Sequence, residues 1–546
     1  MVGLSACDSN NSNMDGGSNG QTAQAPVASF TVTDTSGASR SFDASASEDP
    51  DGGSIQSYSW SFGDQGSGSG SSITHSYGSA GAYDVTLEVV DDEGAKDDTT
   101  VTVNIPDNTV VVTNDVESNT TWTSNKTYIL DGLVFVDGAT LTIEPGTVVK
   151  GRQKSQISTN DGASALIVKK SGKIDASGQP DTPIIFTSTA DDLSDPGDLG
   201  PQIRGLWGGV VLLGNAPTAE GTATQIEGVP ASTEQATFGS GSPDPNDNSG
   251  TLEYVSIRHG GFSISGVSGD ELNGLTLGAV GRGTTINHVE VFANLDDGIE
   301  WFGGTVHATH LVAAFCGDDS FDWDTGFRGT GQYWFAVQAT DAAGRGGELD
   351  GFDSNTSENA EEFSDPVITN ATLIGAGSGS SVGDETLRFR NGGAGEFYNS
   401  IFTAFPGMAV RIDADDTADQ RWSDGDIVLR NNVFFDYGAG SDIPSVVQGT
   451  SRDSRIQSNN TFTDPALASI SRTRNQGLDP RPGASGLPSF EAPSNFDNTS
   501  GTARDNYVGV NISNLDNAGY LGAFDPSGDL WTTGWTKLST NGYMVQ

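Results

Sequence analysis

The run His288-Val289-Glu290-Val291-Phe292-Ala293-Asn294-Leu295-Asp296-Asp297-Gly298-Ile299-Glu300-Trp301 is written again, with substitutions, as His310 to Trp323, twenty-two residues on (310 − 288). Histidine falls on histidine, an Asp-Asp pair on an Asp-Asp pair, and tryptophan on tryptophan. A third line, Gln332-Tyr333-Trp334-Phe335-Ala336-Val337, holds the register and then departs from it. Self-similarity at so short a period, in β-rich segments separated by turn residues, is what a solenoid writes into its chain. The lines predict a parallel β-helix, one line per coil, with equivalent side chains stacked ~4.8 Å apart along the axis.

Stacking then makes carboxylates the informative residues. Asp296 would lie over Asp318, Asp297 over Asp319 and Glu300 over Asp322, with Asp324 and Asp341 near by. Two like charges at ~5 Å repel by roughly 3 kcal/mol at an effective dielectric of 20. Such a pile calls for a cation, a raised pKa or exposure to water. Period-two alternation turns Ile299, Phe321, Trp301 and Trp323 inward, so Glu300 and Asp322 point outward, and Asp296 and Asp318 share their parity. Asp297 and Asp319 are placed at a corner. Asp296, Glu300, Asp318, Asp322 and Asp324 are therefore the candidate calcium ligands. A solvated acidic face is the equal alternative.

Composition narrows the partners. The net charge of −46 over 546 residues argues against nucleic acid or anionic membrane as a binding surface, since both would be repelled. An acidic, lysine-poor surface suits solubility in high salt. Two cysteines, Cys7 and Cys316, make no disulfide framework, and Cys316 reads as a small buried hydrophobe.

Taken in order, residues 1–25 are a lipobox remnant and a flexible tether, the tether being the Ser/Asn/Gly/Gln-rich run from Asp8 to Ala25. Leu4-Ser5-Ala6-Cys7 resembles a bacterial lipobox, which implies lipidation of Cys7, a membrane contact made through that lipid alone, and a place in the cell envelope. Residues 26–106 alternate as short strands. Asp49-Pro50-Asp51-Gly52, Tyr58-Ser59-Trp60-Ser61-Phe62-Gly63-Asp64 and Gly81-Ala82-Tyr83-Asp84-Val85-Thr86-Leu87 resemble the PKD domain family, which implies an immunoglobulin-like β-sandwich acting as spacer or binding module. Trp60 and Tyr83 are expected in its core. Residues 107–480 wind the solenoid, with polar insertions at 191–204 and 218–250 where binding sites usually grow. Asp244-Pro245-Asn246-Asp247-Asn248 spaces oxygens like the first half of a calcium loop. Asn370, Asn399, Asn432 and Asn460 are expected to form an amide ladder. Residues 481–546 are expected to cover the last open coil.

From Asn114 onward, Leu141-Thr142-Ile143-Glu144-Pro145-Gly146-Thr147, Gly205-Leu206-Trp207-Gly208-Gly209 and Ser256-Ile257-Arg258-His259-Gly260-Gly261 resemble a family of bacterial surface lipoproteins of spirochaetes and Bacteroidetes. The likeness implies an all-β chain, a right-handed parallel β-helix of the pectin-lyase type, at the outer membrane or cell surface. Two functions follow as expectations. One is a lipid-anchored protein whose calcium-stabilised β-helix binds extracellular polysaccharide or other surface components. The other, by analogy with pectate-lyase-like and polygalacturonase-like enzymes, is a lyase or inverting hydrolase of acidic polysaccharides using Asp297 and Asp319 with Arg258 and His259. In that reading Arg388 and Arg390 are further basic groups able to clamp a carboxylate.

Overall fold

The computed structural model describes residues 24–34, 38–159, 161–229, 236–263, 272–352, 363–413, 417–448, 455–456, 458–483, 487–496 and 510–545. Cys7 lies outside them. The chain divides into two units, Met1–Asp107 and Asn108–Gln546. No helix among the described residues is long and apolar enough to cross a membrane.

The first unit packs an antiparallel three-stranded sheet (Thr31–Asp34, Ser39–Asp43, Ser72–Ser76) with a four-stranded one (Ser67–Ser69, Ile55–Ser61, Gly81–Asp91, Lys96–Ile105). In Gly81–Asp91 every second residue from Val85 is buried, the alternation of a sheet with one dry face. Phe42, Trp60, Phe62, Val85, Leu87 and Val89 fill the core. Trp60 satisfies its indole N–H on the Gly70 carbonyl at 2.8 Å. Tyr83, expected in this core, is only partly buried at its edge.

The second unit is a parallel β-helix, with an 18-stranded and a nine-stranded sheet among the described residues. The twin lines pair in the register that their spacing predicts: Ile299 on Phe321, Glu300 on Asp322, Trp301 on Trp323. The same columns continue upward through Leu275 and Leu277 and downward through Leu387, Phe389, Val410 and Ile412. Inward residues of all coils join in one core from Val116 to Ile456.

Each long strand of the 18-stranded sheet bends at a single left-handed residue. Tyr254, His288, His310, Tyr333, Asn370, Asn399 and Asn431 form that column, with φ between 49° and 62°. A bend of nearly fixed φ repeated coil after coil keeps the two halves of each strand in register. Asn and His tolerate this region better than most residues. His288 and His310 thus lie within Thr285–Phe292 and His307–Ala314.

The asparagines form two adjacent columns where one was expected. Asn431 donates to Asn399 at 2.7 Å, and Asn432 to Asn460 at 3.0 Å. The half calcium loop is turn chemistry instead: Asp244 Oδ1 accepts from Asn246 N–H and Asn248 Oδ1 from Gly250 N–H.

The C-terminal segment also departs from expectation. Its described residues run along the flank, from the coil of Asn431 back toward earlier coils. Ser489 and Glu491 accept from Asn431 and Asn399, Tyr520 from Asn370, and Asp516 exchanges two bonds with Gln332. Further along, Lys537 and Leu538 donate to Glu290. The physical reason is an apolar strip on the outside of the 18-stranded sheet. Phe292, Val312, Phe315, Phe335 and Val337 face outward there and are covered by Phe524, Leu530, Trp535, Leu538 and Tyr543. Burying such a strip is worth roughly 25 cal/mol per Å².

Candidate functional site

The outward column of the nine-stranded sheet reads Ile167, Val211, Thr276, Glu300, Asp322, Glu348, Arg388, Arg411 from coil to coil. It passes from apolar to acidic to basic. As expected, Glu300 and Asp322 point away from the core. They do not reach free solvent, however: Glu300 is 5% exposed and Asp322 9%. The insertion after the strand Val210–Leu213 folds over this face. Its Ile226, Val229 and Phe238 pack on Phe135, Ile167, Val211, Leu213 and Phe302. Glu227, carried by the same insertion, lies close enough to Glu300 to raise its pKa.

At the corner before these strands, Asp297 Oδ1 accepts the backbone N–H of Asp319 at 2.8 Å. Asp319 Oδ1 in turn accepts the N–H of Arg345, one coil further on. The corner acids therefore hold successive coils together.

Three interlocking triads result: Asp296/Asp297/Asp318, Asp297/Glu300/Asp322 and Asp319/Asp322/Glu348. Within each triad the three oxygens lie within 4.8 Å of one another. Burial pushes the carboxyls of Asp297, Glu300 and Asp322 well above the usual range, and the neighbouring acids push them further. Asp319 is raised to about 8, by burial first and then by Asp318 and Glu348. Among the described residues no hydrogen-bond donor reaches the buried Oδ1 of Asp322. A buried carboxylate oxygen without a donor costs several kcal/mol unless protonated or bound to a cation. The donors are all hard oxygens, the set that calcium takes at 2.3–2.6 Å.

Below this cluster the acids are matched by arginines. Arg345 reaches Glu348 at 2.8 Å, Asp319 at 3.3 Å and Glu385 at 3.5 Å. Arg390 binds Glu348 at 2.6 Å and Asp350 at 2.7 Å, and Arg388 binds Asp413 at 2.9 Å. Arg388 and Arg390 thus clamp carboxylates of this chain.

The structure gathers Asp296, Asp297, Glu300, Asp318, Asp319 and Asp322. It leaves Asp324 beside the cluster, outside the triads, and ties Asp341 to Arg204 at 2.9 and 3.0 Å. Arg258 and His259 are not brought to Asp297 and Asp319, because they end a strand of the other sheet. There Arg258 Nε donates to Ser256, and His259 Nδ1 pairs with the Ile203 carbonyl at 2.6 Å. They share a buried charge group with Asp191 and Lys537. The expected catalytic foursome is two separate pairs.

Sequence reasoning missed Glu348 and Arg345. Their signal was the alternation Gly347-Glu348-Leu349-Asp350, which repeats Phe321-Asp322-Trp323-Asp324 at a spacing of 26 (348 − 322). Four extra corner residues hid it. In the first unit, Asp49 meets Asp92 and Glu93 with oxygens within 4.8 Å, while Asp51 accepts the N–H of Gln24.

Comparison with known proteins adds family evidence. Residues 114–475 match a family model described as a pectate-lyase like beta helix domain, and residues 23–105 match a PKD domain. The PKD1 domain of Vibrio anguillarum Epp is 42% identical over 15% of this chain and 95% of its own, with a TM-score of 0.14. The PKD1 domain of the Vibrio cholerae metalloprotease PrtV is 39% identical over 15% and 98%, also at 0.14. A carbohydrate-binding module of the beta-sandwich superfamily, described for its promiscuous specificity, is 38% identical over 15% of this chain and 34% of its own, at 0.14.

Proposed function

Since this chain belongs to the pectate-lyase-like β-helix family and carries a PKD domain ahead of the helix, a pairing that supports a surface or carbohydrate-related protein, we propose that it is a lipid-anchored bacterial cell-surface protein. In this reading Cys7 carries the lipid, the PKD unit is the spacer, and the β-helix is a calcium-stabilised surface that binds extracellular glycans or neighbouring surface components. The observation that carries the calcium step is Asp322, a member of two of the three carboxylate triads, whose buried Oδ1 has no donor among the described residues.

Asp297, Glu300 and Asp322 would hold the inner ion, and Asp296 and Asp318 the half-open side of the cluster. Bound calcium would supply the positive charge that lets these acids ionise together at neutral pH. The chain's own contribution is rigidity. Glu300 and Asp322 are fixed by strand pairing, and Asp297 by its bond to the next coil, so the ligands are positioned before the ion arrives. The arginines of the following coils remain on the same face, beside the cluster, where a glycan lying along the solenoid would meet both signs of charge.

Isothermal titration of the chelated full chain with calcium tests the site. Saturable binding that is lost in Asp322→Asn supports it; absence of binding heat together with an unchanged melting temperature would sink it. A panel of neutral and uronate glycans, with and without calcium, then reads ligand class. Formation of cleaved product on that panel would replace the binding role by a catalytic one.

A further inference from the structure

Of the four histidines of the second unit, His259 is buried and His288, His307 and His310 are half-buried, and all four lie along the track of the C-terminal segment. His288 and His310 stack ring on ring at 4.2 Å, continued by Tyr254 at 4.3 Å and Tyr333 at 4.7 Å. Trp531 and Trp535 stand edge-on over His288, and Trp531 over His310. His307 is near Asp516 of the same segment. His259 lies beside Lys537, with Asp191 and Arg258 completing that charge group.

Around this stack the segment is also held by specific polar contacts. Glu290, fully buried, accepts from Lys537 N–H at 2.6 Å and Leu538 N–H at 2.9 Å, while Lys537 Nζ meets Asp191 at 3.3 Å. His288 and His310 are half-buried under the segment; lifting it would expose their rings fully to water, where an imidazole takes up a proton near pH 6.5.

We propose that residues 510–545 form an acid-releasable clasp, lifted from the flank of the solenoid when His288 and His310 gain protons on being uncovered. The groups that face the pair are consistent with this. Tyr254 and Tyr333 are neutral, Glu253 is bonded to Asn287, and the indoles of Trp531 and Trp535 carry no charge. Asp516 lies toward His307 and Tyr333. Its charge favours protonation of His307 in place, so the pair at 288 and 310 does the work of release. While covered, His288 is held down to about 4 by burial, and His310 to about 3 by burial and then by His288 and His307.

The sign follows from linkage. The folded-state values lie below those of the uncovered ring, so clasp binding is full above pH 6.5 and weakens as pH falls toward about 4. Two histidines acting together weaken it on the order of 10³-fold between pH 7.5 and pH 5. Release would uncover the apolar strip of Phe292, Phe315 and Phe335. Release of the clasp does not depend on calcium.

Hydrogen exchange of the full chain, corrected for intrinsic rates, reads the clasp and the coils separately. At pH 5, protection of 510–545 should fall on the order of 10³-fold relative to pH 7.5 while strands 285–292 and 307–314 keep theirs. In His288→Asn/His310→Asn the fall should shrink to under about tenfold; Asn already serves at Asn370 and Asn399 of the same left-handed column. His288→Tyr/His310→Tyr, which copies Tyr254 and Tyr333, gives a second test that keeps the stacking. Equal protection at both pH values in the wild type, or an undiminished fall in either folded variant, would overturn the proposal.

Discussion

Two neighbouring stretches of one face solve the same problem in opposite ways. On the coils of Glu300 and Asp322 the stacked acids have no arginine within the outward column. On the coils of Glu348, Arg388 and Arg411 the acids Glu348, Glu385 and Asp413 each have a guanidinium within 3.5 Å. The geometry is shared: parallel pairing, equal rise and outward parity. The difference shows that stacking alone does not decide charge state. The lower stretch supplies its counter-ions by covalent chain and is complete as folded. The upper stretch is buried by an insertion that brings another acid, Glu227, and is left to draw its positive charge from protons or a metal.

The widest gap between the two stretches should appear on removing a covalent counter-ion. Arg345→Met strips Asp319, Glu348 and Glu385 of their shared cation and should cost about 3–5 kcal/mol in urea unfolding. A loss under about 1 kcal/mol would mean that the lower stretch is not held by its ion pairs.

Calcium tests the upper stretch. At 100 times its dissociation constant the ion should stabilise by about 2.7 kcal/mol, seen as a rise in melting temperature that chelator reverses. Asp322→Asn should abolish that rise and, in chelator, should leave the protein no less stable than wild type, because a like charge has been removed. Destabilisation in both conditions would assign Asp322 to packing alone.

Acidity separates the stretches by sign. Asp319, at about 8, and Asp297, Glu300 and Asp322 bind protons more tightly folded than unfolded. In chelator their contribution is present at low pH and is lost as pH rises from about 4 through about 8. Glu385, held below the usual range despite burial by its bonds to Arg411 and its own backbone, and Asp413, held down by Arg388, behave oppositely. Their contribution is lost as pH falls below the ordinary carboxylate range. Urea midpoints from pH 4 to 9, with and without calcium, check both; a calcium-independent profile would remove the metal from the upper stretch. The smallest effect belongs to Arg411→Gln, whose side chain is 37% exposed and whose loss should stay within about 1 kcal/mol.

The repeat was legible where coil length is constant. Glu300 over Asp322 and Trp301 over Trp323 follow from a 22-residue period and strand alternation. The PKD motifs likewise placed Trp60 in a core. What the sequence concealed is long-range. Nothing local in residues 218–250 says that Ile226 and Phe238 will dry the outer face over Val211 and leave the next acids out of water. Glu348 was masked by a change in corner length, and Arg258 by a change of sheet. His288 and His310 repeat in the sequence, but their cover arrives from Trp531, more than two hundred residues away. Composition cannot show that; an apolar outward strip such as Phe292, Phe315 and Phe335 is the clue that something else must lie on it.

That cover carries a cost in time. The bonds from Lys537 and Leu538 to Glu290 span 247 and 248 residues, and that from Lys537 to Asp191 spans 346. A chain emerging from its N-terminal side can wind coil on coil as it appears, yet the flank near Phe292 stays bare until the final stretch has been made. Through that interval the half-built rod is sticky along one line, and whatever escorts the nascent protein has that line to shield.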